Sequence, residues 1–158
     1  MTMEKTAIQV YLDEQSIAYQ AVNFIRDGDA LTPYPKPMVA WSCIYKTLAL
    51  TGKRTGPVIA VVPVHARLSY KKLAQLTGNR SVGMVPEERL VATTGYVHGA
   101  NNPIGIWRAK QFPIFIDAQA QTQTTICVSA GEIGRAMLID RRQLAALVQA
   151  KFAVLVEA

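Results

Sequence analysis

Three short stretches hold residues whose types and spacing could do chemistry. The first centres on Lys46, within Ile44-Tyr45-Lys46-Thr47-Leu48-Ala49-Leu50. In a strand, alternation sets Ile44, Lys46, Leu48 and Leu50 on one face. An ammonium on an otherwise apolar face is costly unless it meets a partner. A bound carboxylate, carbonyl or phosphate would serve. A place near a sheet edge, where lysine guards against aggregation, would explain it equally well. The second stretch is Gly95-Tyr96-Val97-His98-Gly99-Ala100-Asn101-Asn102-Pro103-Ile104-Gly105. Its glycines permit backbone conformations closed to other residues. They also let a ligand approach main-chain N–H groups, which can polarise an ester carbonyl and stabilise its oxyanion. The bland reading is an irregular loop, and Asn-Asn-Pro signals a turn under both. The third is Ser129-Ala130-Gly131-Glu132-Ile133-Gly134, where a strand ends in small residues. The Ser129 hydroxyl either points into a cleft or sits in a tight turn between strands. No His/Asp pair lies near it in sequence, so a triad would have to assemble from distant positions.

Other signatures are missing. The chain has no Gly-rich phosphate loop with its lysine, no HExxH and no GxSxG. His65 and His98 lack a ligand partner at metal spacing. Cys43 and Cys127 match no metal pattern and no redox pair. Nucleotide cleavage and zinc hydrolysis are therefore disfavoured, and neither a metal nor a cofactor is expected. Two free thiols suit a reducing cytosol. Met1-Thr2-Met3-Glu4-Lys5 does not start a secretory signal. No apolar run approaches the roughly 20 residues that span a bilayer, so no membrane partner is expected.

The elements that must position these residues follow from pattern. A chain of 158 residues, half of them hydrophobic, fits one domain with a sizeable core. Lys5 to Gln15 reads as a helix, with Ala7, Ile8, Tyr11 and Leu12 at helical spacing and Thr2 or Thr6 as cap. Ala18 to Ile25 reads as a strand. Arg26 to Pro37, with Pro33, Pro35 and Pro37, reads as a loop or extended arm. Ser42 to Leu50 and Pro57 to Val64 should pair as a hairpin around Gly52 and Gly56. Ser69 caps a helix to Leu76 that Gly78 stops, and Pro86 opens a short one to Val91. Phe112 to Ile116, Thr124 to Ser129 and Met137 to Ile139 read as strands. Asp140 caps a helix over Arg141 to Ala150, and Phe152 to Val156 closes as a strand. Without regular βαβ alternation, the expected class is α+β: a curved mixed sheet or partial barrel flanked by helices.

Seventeen Lys and Arg against eleven Asp and Glu give a net charge of +6. That balance suits a polyanion such as RNA, or simply a basic soluble protein. The cations are scattered: Lys53, Arg54, Lys71, Lys72, Arg80, Arg108, Lys110, Arg141 and Arg142. On one face they would grip phosphates in a salt-sensitive way; otherwise they are solvated surface charge.

In order, Tyr45-Lys46-Thr47-Leu48, Thr94-Gly95-Tyr96-Val97, Pro103-Ile104-Gly105, Pro113-Ile114-Phe115-Ile116-Asp117-Ala118 and Val128-Ser129-Ala130-Gly131 resemble the YbaK/EbsC family over nearly the whole chain. These are free-standing relatives of the editing domain of bacterial prolyl-tRNA synthetases. The resemblance implies a mixed sheet closing on itself with helices around it. It implies a trans-acting deacylase that hydrolyses the ester of a mischarged tRNA, most often tRNA for proline carrying cysteine or alanine. The aminoacyl-tRNA acceptor end is then the partner, with prolyl-tRNA synthetase as a second. By the resemblance Lys46, Gly99 and Ser129 carry the reaction. Tyr45, Thr47, Gly95, Pro103, Gly105 and Gly131 line the substrate pocket. Two departures stand out. Arg26 to Trp41 replaces a short helix with a proline-rich stretch. Ala136 stands where cysteine-specific members tend to hold an aspartate, which removes a proton acceptor or amine contact. The alternative function is a catalytically silent paralogue that binds aminoacyl-tRNA or its terminal adenosine.

Overall fold

Capping side chains set most helix starts in the computed structural model, which describes residues 4–27, 30–33 and 39–158. Thr6 and Gln9 form a reciprocal capping box at α1 (Ala7–Glu14). Ser69 Oγ accepts the Lys72 N–H to open α2 (Tyr70–Thr77), which ends on Gly78 at φ 71°. Pro86 precedes α3 (Glu87–Thr94), and Gly95 closes it at φ 88°. Asn102 opens α4 (Pro103–Lys110), and Asp140 opens α5 (Arg141–Val148) by accepting two backbone N–H groups.

The sequence reading left α4 as loop. Asn102-Pro103 is a turn signal, but a cap residue followed by proline at the first helical position is also a helix start. Asn102 Oδ1 accepts the Gly105 N–H at 2.6 Å, which settles the choice locally.

The strands are β1 (Tyr19–Asp27), β2 (Ala30–Pro33), β3 (Tyr45–Gly52), β4 (Gly56–Pro63), β5 (Gly83–Met84), β6 (Ile114–Asp117), β7 (Thr125–Glu132), β8 (Arg135–Asp140) and β9 (Lys151–Ala153). They form a four-stranded sheet, β2-β1-β8-β7, and a five-stranded sheet, β5-β3-β4-β6-β9. The first is antiparallel throughout; the second is mixed, with β6 parallel to both β4 and β9. Among the described residues a single parallel bridge, Ile44 to Cys127, joins the sheets. The α+β class holds, and the sheets do not close into a complete barrel.

The expected hairpin is β3 with β4, paired from Tyr45↔Pro63 to Gly52↔Gly56. The stretch read as loop from Arg26 is partly strand, since Asp27 pairs with Ala30 and Phe24 with Pro33. The rest of that stretch lies outside the described residues. The final strand is shorter than expected and ends at Ala153; beyond it Val156 makes one bridge to Leu68.

β4 explains the layering. Ile59 and Val61 point into a core shared with α1, α4, α5 and the four-stranded sheet. Val58, Ala60 and Val62 point the other way, onto Leu73 and Ala74 of α2 and onto Leu155. A strand buried on both faces needs a continuous apolar run. Each such Val or Ile contributes about 1.5–3 kcal/mol. Among the described residues no helix is long and apolar enough to cross a membrane.

Candidate active site

The site is built around an interrupted edge of β3. Val64 N–H donates to Ile44 O at 2.9 Å, so Ile44 turns its main-chain carbonyl to the β4 side. Antiparallel alternation puts the peptide groups of Lys46 and Leu48 on that side too, and those of Tyr45, Thr47 and Ala49 on the opposite edge. The Ala49 carbonyl confirms this phase, because it accepts the Val85 N–H at 3.0 Å. Among the described residues that second edge is paired only at its ends: the Ile44–Cys127 bridge below, and Leu50↔Met84 with Thr51↔Gly83 above. Thr47 therefore turns its main-chain N–H and C=O into the gap. Its hydroxyl is buried and, among the described residues, has no hydrogen-bond partner.

The gap opens into a cavity of about 530 Å³. β3 supplies Tyr45 to Ala49, β7 supplies Cys127 to Ser129, and β8 supplies Arg135 and Ala136. The turn after α3 adds His98, Gly99 and Asn101, while Trp41, 60% exposed, stands on the rim. Lys46, Gly99 and Ser129 thus come from three separate parts of the chain to one cavity, with Tyr45 and Thr47 beside them.

Of the two lining Lys and Arg residues, Arg135 is engaged. Its Nε donates to Asn23 Oδ1 at 3.2 Å, its Nη2 donates to Glu4 O at 2.8 Å, and Glu132 lies 3.7 Å away. Lys46 is half-buried, and no carboxylate lies within 4.0 Å of it among the described residues. A half-buried ammonium without a counter-charge is suited to an anionic or carbonyl ligand.

Ser129 sits at a bulge in β7, and its Oγ accepts the Gly131 N–H at 3.1 Å. Its own O–H remains available to donate. Burial pushes the Cys127 thiol up to about 12, so this lining cysteine stays protonated and is no nucleophile. Burial, reinforced by the charge of Asp117, pushes the Tyr45 phenol up to about 12 as well. That phenol donates to Gln123 Oε1 at 2.8 Å. The lining thus offers a cation, peptide groups, a hydroxyl and the carboxyl group of Glu87, and neither its cysteine nor its tyrosine is ionised.

Gly95, Pro103, Gly105 and Gly131 do not line the cavity. Gly95 is the left-handed residue that closes α3. Pro103 is the buried first residue of α4. Gly105 packs against Tyr96: a Cβ there would collide with the Tyr96 hydroxyl and lie 2.6 Å from its Cζ. Gly131, at φ 96°, holds the Ser129 hydroxyl. The expected run of free N–H donors is also shorter than its glycines suggest. Gly95, Tyr96, Ala100 and Gly105 donate locally, to Val91 O, Thr94 Oγ1, Val97 O and Asn102 Oδ1.

Sequence reasoning gave no role of their own to His98 and Asn101, which it quoted only within the glycine-rich stretch, and missed Glu87 and Arg135 as lining residues. Asn101 is buried, and its Oδ1 accepts the Thr94 Oγ1 hydroxyl at 2.8 Å. Its place two residues after Gly99 was a usable signal. Arg135 offered none, since it reaches the cavity only through the pairing of β8 with β1 and β7.

A cation and peptide groups around a cavity are able to hold a carbonyl or an anion. The chain belongs to the aminoacyl-tRNA editing domain family, whose pattern it matches over residues 39–147. It is thereby a hydrolase of the aminoacyl-tRNA ester. It is 35% identical, over 96% of its length and 93% of the relative's, to a protein of Enterococcus faecalis provisionally named Cys-tRNA(Pro)/Cys-tRNA(Cys) deacylase EbsC. Two crystal structures share the fold. One is provisionally described as a trans-editing enzyme for prolyl tRNA synthetase, with a TM-score of 0.70, 22% identity, and coverage of 76% of this chain and 74% of that one. The other is the hypothetical protein APE2540, with a TM-score of 0.77, 18% identity, and coverage of 95% and 99%.

Proposed function

We propose that this chain acts in trans as a single editing domain on tRNA(Pro) carrying cysteine, with alanyl- and seryl-tRNA as related substrates. The observation that carries this reading is the meeting of Lys46, Gly99 and Ser129 at one cavity, beside the unpaired peptide edge of Thr47. The named activity of the Enterococcus relative supports cysteine as the amino acid. Charged tRNA and its synthetases are in the cytoplasm, and a prolyl-tRNA synthetase there is the natural source of both substrate and tRNA selection.

The aminoacyl ester is already reactive, so positioning and oxyanion stabilisation suffice, and the reading requires no metal or cofactor. Lys46 orients the terminal adenosine or its phosphate. The Thr47 N–H and the Ser129 O–H stabilise the oxyanion, and Gly99 leaves room for the aminoacyl group. Water adds to the carbonyl, the C–O ester bond breaks, and the ribose oxygen leaves with a proton. With cysteine, the substrate's own sulfur can attack instead: a C–S bond forms as C–O breaks, and the thiol proton ends on the ribose oxygen. Either route works without an ionised residue from Cys127 or Tyr45.

The test is a panel of cysteinyl-, alanyl- and seryl-tRNA offered to the wild type and to Lys46→Ala. The expected outcome is preferential loss of the cysteinyl ester, with a decrease of about 10²-fold in Lys46→Ala, the size expected when a positioning contact is lost. Equal rates in the two proteins would remove Lys46 from the mechanism.

A further inference from the structure

The cavity has a neighbour. A more open groove of about 860 Å³ shares Lys46, Leu48 and Met84 with it. Beyond those three, the groove is lined by His65, Arg67, Tyr70 and Lys71, with Glu157 as its one carboxylate. Arg67 and Lys71 are exposed, and among the described residues neither has a carboxylate within 4.0 Å. Tyr70 is 47% exposed. A large aromatic ring left open beside unpaired cations is not what core packing requires.

The wall behind these residues is firmly held. Glu157 N–H donates to Arg67 O at 2.8 Å, and Ser69 N–H donates to Leu155 O at 2.7 Å. The Lys72 ammonium donates to Val156 O at 2.7 Å. The Asp117 carboxylate accepts the Leu155 N–H at 2.9 Å. The groove is therefore a preformed surface that begins where the catalytic cavity ends.

We infer that this groove holds the single-stranded 3′ end of the tRNA, the nucleotides that precede the acyl-bearing adenosine. The inference rests on the deacylase reading for which nucleotide enters the cavity. Arg67 and Lys71 meet phosphates and Tyr70 stacks on a base, the combination by which proteins hold single strands without reading sequence. Lys46, common to both spaces, sits where the chain passes from groove to cavity. A paired stem would present no free base face to Tyr70, so the occupant is the unpaired terminus. Glu157, held beside Arg67 by its own N–H, is the one carboxylate of the groove and limits where a phosphate can lie.

The experiment is fluorescence anisotropy with a 5′-labelled single-stranded RNA ending in C-C-A, across a salt series. It compares the wild type, Arg67→Gln/Lys71→Gln, Tyr70→Ala and the charge-matched control Arg141→Gln/Arg142→Gln. Arg67→Gln/Lys71→Gln should bind about tenfold more weakly. Its slope of log affinity against log salt should shrink by about 1.4, from roughly 0.7 per lost single-strand phosphate contact. Tyr70→Ala should lose about tenfold with an unchanged slope. The control should bind like the wild type, and on mischarged tRNA the groove variants should raise KM by similar factors. Equal affinity and slope in wild type and groove variants overturns the inference, as does an equal loss in the control or no binding by the wild type. Loss of RNA binding in the groove variants, with no deacylation by the wild type, would uphold the groove and reject the deacylase. Normal deacylation and normal binding in all variants would do the reverse.

Discussion

In β3, a regular strand with no glycine between Tyr45 and Thr51, an interruption in pairing leaves the Thr47 peptide groups facing the cavity. In the stretch from Gly95 to Gly105, Gly95 and Gly99 bend the chain sharply, yet the N–H groups of Gly95, Tyr96, Ala100 and Gly105 are already taken up locally. Chain freedom and donor availability are thus separate properties. Glycine lets a backbone approach a ligand, but a turn tight enough to need glycine tends to satisfy its own donors. An edge strand presents peptide groups because its neighbour is missing, whatever its composition.

The largest expected effect tests the scaffold role of the glycine-rich stretch. Gly105→Ala places a methyl against the Tyr96 ring from within a fully buried turn of α4. An exposed helical Gly→Ala change usually stabilises; here overpacking should reverse the sign and cost about 2–3 kcal/mol in urea unfolding. A stabilised variant would mean that Tyr96 yields easily and that Gly105 is not a packing constraint.

The next effect separates two glycines of one stretch. Gly95 and Gly99 sit at φ 88° and 91°, and an added Cβ at either meets no severe clash. Alanine at each should therefore cost a similar 1–2 kcal/mol, roughly the left-handed penalty for an L-residue. Only Gly99 lines the cavity, so only Gly99→Ala should also lower kcat/KM, by about tenfold. Matching activity losses in the two variants would erase the distinction between lining and scaffold.

Thr47→Val sharpens the strand side of the comparison. It preserves shape and the main chain while removing a buried hydroxyl that has no partner among the described residues. Stability should hold or rise by up to about 1 kcal/mol, because an unsatisfied polar group disappears. Activity should fall about fivefold with unchanged unfolding behaviour, the mark of a hydroxyl whose partner is the substrate. Full activity would leave the peptide groups as the only contribution of Thr47.

The same contrast governs what could be read from the sequence. Local signals were legible because their physics is local: Ser69 and Gly78 bound α2, Asp140 opens α5, and the apolar run of β4 marks a strand buried on both faces. Lys46 was legible because a cation breaks an apolar face. α4 was lost because Asn102-Pro103 suits a turn and a helix start alike, and only the bond to Gly105 N–H decides. Arg135 reaches the cavity by strand pairing, which leaves no mark at its own position. The open edge of β3 was invisible for a stronger reason, since the absence of a neighbour is a property of the sheet and not of the strand.

The smallest expected effect concerns how the lower end of that edge is held. Tyr45 Oη donates to Gln123 Oε1 at 2.8 Å, and Gln123 Nε2 donates to Ser42 O at 2.8 Å. This relay ties the start of β3 to the approach to β7, beside the bridge where the sheets meet. Tyr45→Phe should cost about 1 kcal/mol at pH 7, the usual worth of such a bond. Burial raises the phenol from its ordinary 10.0 to about 12, so the folded state binds this proton more tightly than the unfolded chain. The stabilisation is therefore complete below about pH 10 and is lost as pH rises from 10 through 12. The buried Cys127 thiol acts in the same direction between its ordinary 9.0 and about 12, in both proteins alike. The gap between wild type and Tyr45→Phe in urea should hold from pH 7 to 9 and narrow above 10. A gap that stays constant to pH 11 would place the phenol in contact with solvent, and the lower end of the edge would then need another anchor.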